Sequence, residues 1–248
     1  MPSKINPIIS PGSKIWFIQN TKSEGPGYFA ELLTHWKIKY EVCNLERGDH
    51  LPEVSAIDAV ILLGGPMSVN DQTLSMSNLL SWSSVLLKRE IACLGICLGL
   101  QVLVRAAGGK VVESPIKEIG LKMNGRLPFY CDLTKRGQED PLFSRFQKRF
   151  PIFQLHGETV ELTNSMQLLA KGKWCENQVV KIGERAYGFQ GHLEVTARLL
   201  AEWVTTDPDL LQQDAGALLK DWFHVEKEMH FYCRKTLLNF LKISEIVG

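Results

Sequence analysis

Short apolar runs alternate with longer amphipathic stretches through the first hundred residues. The apolar runs are rich in β-branched side chains, as buried strands are, and the stretches between them have helical spacing. The predicted strands occupy residues 14–19, 38–43, 58–63 and 91–96, and the predicted helices occupy residues 27–36 and 74–89. This alternation predicts an α/β fold, with a mostly parallel sheet flanked by helices on both faces.

The middle of the chain has a different pattern. Residues 110–135 contain short strand-like pieces interrupted by Pro115, Gly120 and Gly125, which predicts a β-rich insertion or a sheet edge. Further short strands joined by tight turns are predicted at residues 150–155, 166–170, 178–182 and 185–190. A helix is expected to begin near Glu194.

Helix-forming residues dominate from Asp207 onward. Leucines and aromatic residues recur there at helical spacing, in two segments at residues 209–224 and 226–243. The chain is therefore divided into a leader at residues 1–13, a main domain at residues 14–204 and a C-terminal helical appendage at residues 205–248. The appendage could form a homodimer interface or could cover the sheet edge, and the second role is the more common for such a stripe.

Composition narrows the classes of partner. The 248 residues are 45% hydrophobic and 22% charged with a net charge of +1, which gives no basic surface for nucleic acid or anionic membrane. No apolar run approaches the ~20 residues that cross a bilayer. The six cysteines include no C-x-x-C pair, so neither a zinc knuckle nor a disulfide scaffold is indicated. We expect a cytoplasmic protein whose partner is a small molecule or another protein.

The most specific local pattern is Gly95-Ile96-Cys97-Leu98-Gly99, at the junction of a predicted strand and a predicted helix. Small residues two positions before and after a nucleophile suit a tight strand-to-helix elbow. The helix N-terminus favours a thiolate, and the Leu98 N–H can bind an oxyanion. The alternative is that Cys97 is a buried structural cysteine and the glycines only permit close packing. Cys93, on the predicted strand that leads to this junction, is expected to point into the sheet as a core residue.

A cysteine nucleophile needs a histidine base and a group that orients it. His192 precedes Glu194 by two positions, so in an extended backbone both side chains point to one side. The carboxylate can then hold one imidazole nitrogen while the other faces the thiol. Taken alone, such a pair is more often structural. Four other histidines carry no accompanying pattern and are expected at the surface or in packing roles: His35, His50, His224 and His230.

Three ordered motifs resemble the class I, or triad, glutamine amidotransferases. They are LGGPMS at residues 63–68, GICLGLQ at residues 95–101 and GFQGHLE at residues 188–194. The resemblance is greatest to the stand-alone branch that is similar to GMP synthase. Leu51-Pro52, Ile119-Gly120 and a turn at residues 154–158 extend it over residues 14–204. It implies a flavodoxin-like fold with a C-terminal helical extension.

The resemblance also implies roles for individual residues. The catalytic residues would be Cys97 as nucleophile, His192 as general acid and base, and Glu194 as the orienting carboxylate. The oxyanion hole would use backbone N–H groups of Gly65 and Leu98. Gln101 would bind the glutamate moiety of the substrate, and the turn His156-Gly157-Glu158 would contact its α-amino and α-carboxylate groups. No metal and no organic cofactor is expected.

Two positions depart from the family pattern. Leu193 stands between the catalytic residues where the family usually has proline, which loosens the loop but leaves both functional groups in place. Met67 stands where some amidotransferases have a small residue, so the pocket mouth is expected to differ.

The expected reaction is hydrolysis of the side-chain amide of glutamine through a γ-glutamyl thioester on Cys97. About 45 residues follow position 204, too few for an ATP-pyrophosphatase domain, so the ammonia could serve a separate synthase subunit. Two alternatives stay open: a γ-glutamyl peptidase, and a non-catalytic binding module of the same fold. A phosphate-binding site at residues 64–66 is disfavoured, because the glycine spacing is wrong and Pro66 lacks an N–H.

Overall fold

The computed structural model of the protein describes residues 12–248. Most of the leader predicted at residues 1–13 therefore lies outside the described residues. The thirteen strands are β1 (Ile15–Gln19), β2 (Tyr40–Asn44), β3 (Ala59–Leu62), β4 (Ala92–Ile96), β5 (Lys110–Gly120), β6 (Lys122–Met123), β7 (Leu127–Pro128), β8 (Tyr130–Leu133), β9 (Arg149–Pro151), β10 (Gln154–Glu161), β11 (Met166–Lys171), β12 (Val179–Ile182) and β13 (Ala186–Phe189). The α-helices are α1 (Gly27–His35), α2 (Leu74–Lys88), α3 (Leu98–Ala106), α4 (Lys135–Glu139), α5 (Ala197–Thr206) and α6 (Ala215–Ile243).

A nine-stranded sheet forms the centre of the protein. Its order is β2-β1-β3-β4-β13-β12-β11-β8-β9. The first five strands in this order are parallel, and the remaining four are antiparallel to their neighbours. The parallel strands β3, β4 and β13 end at one edge of the sheet, where loops from distant parts of the chain meet.

Helices cover both faces of the sheet, as predicted. Phe17 and Leu94 face a core that also contains side chains from α1, α5 and α6. Ile18 and Cys93, one position away on the same strands, face a second core built with α2 and α3. The side-chain period of two thus separates the cores, and Cys93 is a core residue as expected.

The β-rich segment after α3 forms a ribbon beside the sheet. β5 pairs antiparallel with β10, and the register shifts between His156 and Glu158. Residues 154–158 are therefore part of a strand with an irregularity at Gly157, and the prediction of a turn was wrong. The cross-strand pairing with β5 keeps this segment extended, and at the irregularity the single residue Gly157 lies opposite residues 114–117 of β5.

The helix expected near Glu194 begins three residues later, at Ala197. The Thr196 side chain caps α5 by accepting a hydrogen bond from Leu199 N at 3.1 Å. An antiparallel bridge between Phe153 and His192 holds the preceding residues extended, because paired backbone cannot enter a helix there.

The C-terminal region contains one long helix rather than the two predicted segments. A short 3-10 turn at Leu210–Gln212 comes first, and Asp214 then caps α6 through Ala217 N at 2.9 Å. α6 continues unbroken for 29 residues and packs against α1 and α5. The boundary predicted after residue 204 falls inside α5. Among residues 12–248, no helix combines the length and apolar character that a membrane span needs.

Candidate active site

Cys97 occupies the elbow between β4 and α3. Its backbone has φ 50° and ψ −107°, a conformation that residues other than glycine rarely adopt. Cys97 N donates to Phe189 O at 2.7 Å, and Cys97 O accepts from Gln101 N at 3.1 Å. These bonds fix the strained residue from β13 on one side and from α3 on the other, so that Cys97 lies at the edge where the parallel strands end.

Crowding explains the two glycines that flank the elbow. A Cβ on Gly95 would stand 2.5 Å from Gly99 O and 2.6 Å from Leu100 N. A Cβ on Gly99 would stand 2.8 Å from the carbonyl carbon of Leu62. All three distances are too short for real Cβ contacts, so the elbow predicted from the glycine spacing is present and excludes larger residues at these positions.

His192 and Glu194 form a buried pair beside Cys97. His192 Nδ1 lies 2.6 Å from Glu194 Oε1, and the side chains are 1% and 3% exposed. The backbone is extended here, because His192 N donates to Phe153 O at 2.7 Å and Phe153 N donates to His192 O at 3.2 Å. The same-side placement predicted for the two side chains is thereby observed. The Trp203 ring packs edge-on against the imidazole, with centroids 5.0 Å apart.

The surroundings of His192 favour its protonated form. Burial alone would lower the pKa of the imidazole, but the negative charge of Glu194 and side-chain hydrogen bonds with Cys97 and Glu194 act in the opposite direction. The result is a pKa well above the ordinary value for histidine. With Nδ1 directed at Glu194, the other nitrogen is free to face the Cys97 sulfur, which is the arrangement of a cysteine nucleophile and its base.

The Cys97 sulfur has two further polar neighbours. As a thiol it donates to Leu155 O at 3.7 Å, and Gln190 Nε2 donates to Sγ across 3.9 Å. Gln190 is fully buried, and its amide oxygen has no hydrogen-bond partner among residues 12–248. Gln190 was not selected as a site residue, because its contact with the sulfur arises only from the pairing of β13 with β4.

Leu193 replaces the family's proline without disturbing the pair around it. The side chain is fully buried in the larger core. The Glu194 carbonyl also accepts a hydrogen bond from Tyr28 N at 2.7 Å, at the start of α1. Burial of Leu193 and this bond to α1 therefore hold the loop at the position where the family usually has proline.

The Gly64-Gly65 loop lies against the start of α3. Asn20 Nδ2 donates to Leu63 O at 2.9 Å and to Gly64 O at 3.1 Å. A Cβ on Gly65 would stand 2.9 Å from Leu98 Cδ2, which places the two residues expected to form the oxyanion hole in contact. Asn20 was missed by sequence reasoning, although a polar residue immediately after a buried strand is a usable signal.

An open pocket of about 410 Å³ lies in front of Cys97. Its walls include most of the predicted site residues, namely Gly65, Cys97, Gln101, His156, Gly157 and Glu158, together with Met67 and Ser68. His192, Glu194 and Leu98 lie behind this surface and are buried. The predicted residues are therefore brought together at one place, with the triad pair supporting Cys97 from inside.

The His156 side chain is directed into the protein and away from the pocket. Its Nε2 lies 2.9 Å from Glu118 Oε2, its Nδ1 lies 3.0 Å from Glu158 O, and the side chain is 1% exposed. Gln178 Nε2 also donates to Glu118 Oε2, at 3.0 Å. The imidazole therefore anchors β10, and the main chain of His156 is the part that can reach a substrate. Glu158 accepts a hydrogen bond from Ser68 Oγ at 2.8 Å.

One group of side chains has the composition of a metal site. Glu118, His156 and Cys175 bring one potential ligand atom each to within 4.8 Å of one another. Both nitrogens of His156 already bond to oxygen acceptors, and burial raises the pKa of Cys175 to about 11, which keeps it a thiol. Neutral thiol and occupied imidazole are poor ligands, so these residues do not fit a divalent cation.

Glu24 is a pocket residue that sequence reasoning missed. It lies in the loop after β1, and its Oε2 is buried without a hydrogen-bond partner among residues 12–248. Burial first, and then repulsion from Glu194 and Asp207, raise its pKa to about 7, although the charge of His192 acts in the opposite direction. A carboxyl group whose pKa lies near neutrality beside a buried histidine is typical of functional sites.

The sequence profile of the class I glutamine amidotransferases matches residues 29–205, which include the elbow and the His192–Glu194 pair. The chain belongs to this family. Among curated relatives, a glutamine amidotransferase-like protein of Salmonella typhimurium is 30% identical over 153 residues, covering 58% of this chain and 60% of that protein. The GMP synthase of Thermosipho melanesiensis is 32% identical over 174 residues, covering 68% of this chain.

Solved structures of amidotransferases share the whole fold. A glutamine amidotransferase of Thermotoga maritima is 25% identical with a TM-score of 0.83, covering 95% of this chain and 100% of that one. A glutamine amidotransferase of Methylobacillus flagellatus is 25% identical with a TM-score of 0.82, covering 95% and 97%. The match to the Thermosipho GMP synthase spans only 28% of that protein's length.

Proposed function

We propose that this amidotransferase hydrolyses the side-chain amide of glutamine through a thioester on Cys97. The observation that supports the proposal best is the position of the buried His192–Glu194 pair, with a 2.6 Å hydrogen bond on one side of the imidazole and Cys97 on the other. This is the arrangement that activates a thiol and later returns a proton. A binding module does not need a cysteine with a strained backbone next to a protonated histidine.

In the first step the Cys97 thiolate attacks the carboxamide carbon, and a C–S bond forms as the carbonyl becomes an oxyanion. The N–H groups of Gly65 and Leu98 are assigned to this oxygen. Neither is used in a hydrogen bond within the part of the chain that the structure describes, and Leu98 begins α3, where N–H groups are unpaired.

In the second step the tetrahedral intermediate collapses. His192 donates its proton to the amide nitrogen, the C–N bond breaks, and ammonia leaves a γ-glutamyl thioester. Water then attacks the thioester while His192 accepts a proton, so glutamate and the free thiol are released. Glu194 holds the imidazole in one orientation throughout.

The glutamyl part of the substrate is assigned to the wall formed by Gln101 and β10. Gln101 is 4% exposed and lines the pocket from α3, and Glu158 lines it from β10. Main-chain groups around Gly157 would take the α-carboxylate, since the His156 side chain is occupied elsewhere. The ammonia would pass to a separate synthase subunit in a reducing cytoplasm, where the thiol stays reduced.

A second candidate function is γ-glutamyl peptidase or amidase activity. The pocket of about 410 Å³ continues past Cys97 to Asp207, Pro208 and Asp209, which is more space than a departing ammonia needs. The chemistry is unchanged, because only the group on the departing nitrogen differs.

Release of glutamate and ammonia from glutamine, and of glutamate from γ-glutamyl peptides, tests the proposal. We expect turnover by the native protein and none by a Cys97→Ala variant. Cys93→Ala is the matched control, since Cys93 is a fully buried thiol on β4, the strand that leads to Cys97, but faces the other core. Turnover that persists in the Cys97→Ala variant, with both variants folded by circular dichroism, would show that the proposal is wrong.

A further inference from the structure

Asn20 connects the end of β1 to the loop that carries Gly65. It follows directly after β1 and is 5% exposed. Its Nδ2 donates to Leu63 O at 2.9 Å and to Gly64 O at 3.1 Å. Both partners are carbonyl oxygens, which only accept hydrogen bonds, so the amide nitrogen must be the atom that faces them. One buried amide thus holds two successive carbonyl groups of the loop.

The bond to Gly64 O also determines where the Gly65 N–H points. The peptide unit between the two glycines is planar and trans, so its C=O and N–H groups point in opposite directions. With the carbonyl turned toward Asn20, the N–H is turned away from it. Gly65 lines the pocket, and its N–H has no hydrogen-bond partner among residues 12–248. The N–H is therefore available to a ligand.

This peptide unit needs a partner outside the loop to fix its orientation. A Cβ on Gly64 would collide with Glu24 Oε2, and a Cβ on Gly65 would stand 2.7 Å from Met67 Sδ and 2.9 Å from Leu98 Cδ2. Close packing thus requires glycine at both positions. Two successive glycines leave the peptide between them free to rotate, because neither has a Cβ that restricts φ and ψ. The hydrogen bonds from Asn20 remove this freedom.

The backbone on either side of the contact is itself fixed. Leu63 N donates to Ile18 O at 2.9 Å, which continues the pairing of β3 with β1 beyond the end of β3. Gln19 Nε2 donates to Thr21 O at 3.0 Å and holds the chain just after Asn20. The Asn20 amide therefore joins two segments whose relative position is set by the sheet.

We propose that Asn20 is a positioning residue that holds the Gly65 N–H in the orientation that binds the oxyanion. The inference rests on the proposed amide hydrolysis and adds a residue outside the triad to it. As Cys97 Sγ bonds to the carboxamide carbon, the electron pair of the C=O bond moves to oxygen, which accepts from the Gly65 N–H. The pair returns when the C–N bond breaks, and Asn20 exchanges no proton.

Such an arrangement forms the oxyanion hole before the substrate binds. A donor that is already oriented stabilises the developing charge without reorganisation during the reaction. The contribution of Asn20 is then made in the transition state, so its loss should lower kcat and leave KM nearly unchanged. A residue that only stabilises the end of β1 would show no such separation.

The test measures kcat and KM for glutamine, or for the γ-glutamyl peptide that the native protein hydrolyses. Asn20→Asp keeps the shape but replaces the donating nitrogen by an oxygen that faces two carbonyl oxygens. Asn20→Ala introduces no charge and is the second variant in case the buried carboxylate prevents folding. Asn44→Asp is the matched control, because Asn44 ends β2, is 4% exposed and lies outside the pocket lining.

We expect kcat to fall by roughly 10- to 10³-fold in both Asn20 variants, because one of the two oxyanion donors loses its orientation. KM should stay within about threefold of the native value, and both constants of the Asn44→Asp control should stay within about twofold. Circular dichroism checks that each variant is folded.

Alkylation of Cys97 by iodoacetamide separates this role from damage to the nucleophile. The sulfur displaces iodide from a saturated carbon, so no oxyanion forms and the hole is not used. We expect the alkylation rates of the Asn20 variants to lie within about twofold of the native rate, with Cys97→Ala as the background. Alkylation that falls in step with kcat would show that Asn20 supports the elbow instead, and would overturn the inference.

The outcomes also separate the inference from the proposed function. Native values of kcat in folded Asn20 variants, with turnover that depends on Cys97, would overturn the inference and leave the hydrolysis intact. No turnover of glutamine or of any γ-glutamyl peptide by the native protein would overturn both.

Discussion

Glu194 holds His192 through a 2.6 Å hydrogen bond between two side chains that come from a single extended segment. The residue between them, Leu193, points the other way into the core. The orientation of the imidazole is thus built into strand geometry and burial, and Phe153 fixes it by pairing with the His192 backbone.

Replacement of Glu194 by glutamine tests the role of this charge. Glutamine keeps the shape and a hydrogen-bonding oxygen but removes the negative charge that raises the pKa of His192. We expect kcat/KM to fall by roughly 10²- to 10⁴-fold and the alkaline limb of the pH–rate profile to move to lower pH, because the imidazole loses its proton earlier. A profile that matches the native one, against Glu202→Gln as control, would contradict the assignment.

Replacement of Gly95 by alanine tests the elbow. The new Cβ would stand 2.5 Å from Gly99 O, so β4 and α3 must separate. We expect a loss of about 1–3 kcal/mol in the free energy of unfolding and loss of activity below the unfolding transition. Gly108→Ala is the control, because Gly108 has φ 88° but open space around it, and it should lose stability without losing activity. Equal activity of the two variants would show that the elbow tolerates crowding.

Local patterns of hydrophobic and polar residues were sufficient to predict much of the fold. The parallel strands and α2 were predicted from runs and spacing, because strand and helix periods are written in consecutive residues. Cys97, His192 and Glu194 were selected from short motifs with defined spacing, and the resemblance to the family implied their roles. The long α6 was divided into two segments, although its buried side chains continue through the predicted break.

Other features depend on which distant segments meet. The Glu118–His156 pair joins residues 38 positions apart through the pairing of β5 with β10, and no spacing rule anticipates it. Glu24 and Asn20 lie in a loop after β1, and they reach the site only because strand β1 lies beside β3. Their roles follow from sheet order, which the hydrophobic pattern leaves open.

The buried carboxyl of Glu24 should make stability fall as pH rises. Its pKa is raised from 4.5 to about 7 in the folded protein, so between these values the folded state keeps a proton that the unfolded state has lost. The contribution of Glu24 to the free energy of unfolding is complete below pH 4.5. It decreases as the pH rises to 7, by an amount on the order of 3 kcal/mol. Glu24→Gln stays neutral, so its advantage over the native protein should grow between pH 5 and pH 8.

Chemical denaturation at pH 5 and pH 8 measures this difference. Glu202→Gln should show a constant offset from the native protein at both values, because its side chain is exposed in both states. If the Glu24→Gln advantage were also constant, the carboxyl of Glu24 would titrate normally and would not be the desolvated group that the pocket geometry indicates.

Residues 205–248 were expected to form a C-terminal appendage, and substitutions in α6 test this expectation. Trp222 on α6 is fully buried in the larger core, whereas its neighbour Phe223 is 63% exposed. Trp222→Ala should cost about 3–5 kcal/mol and Phe223→Ala less than about 0.5 kcal/mol. Because α6 shares its core with α1, whose Tyr28 holds the Glu194 loop, the loss should appear as one cooperative transition that abolishes activity at its midpoint. A separate early transition with activity retained would instead show that α6 unfolds alone, as an independent appendage would.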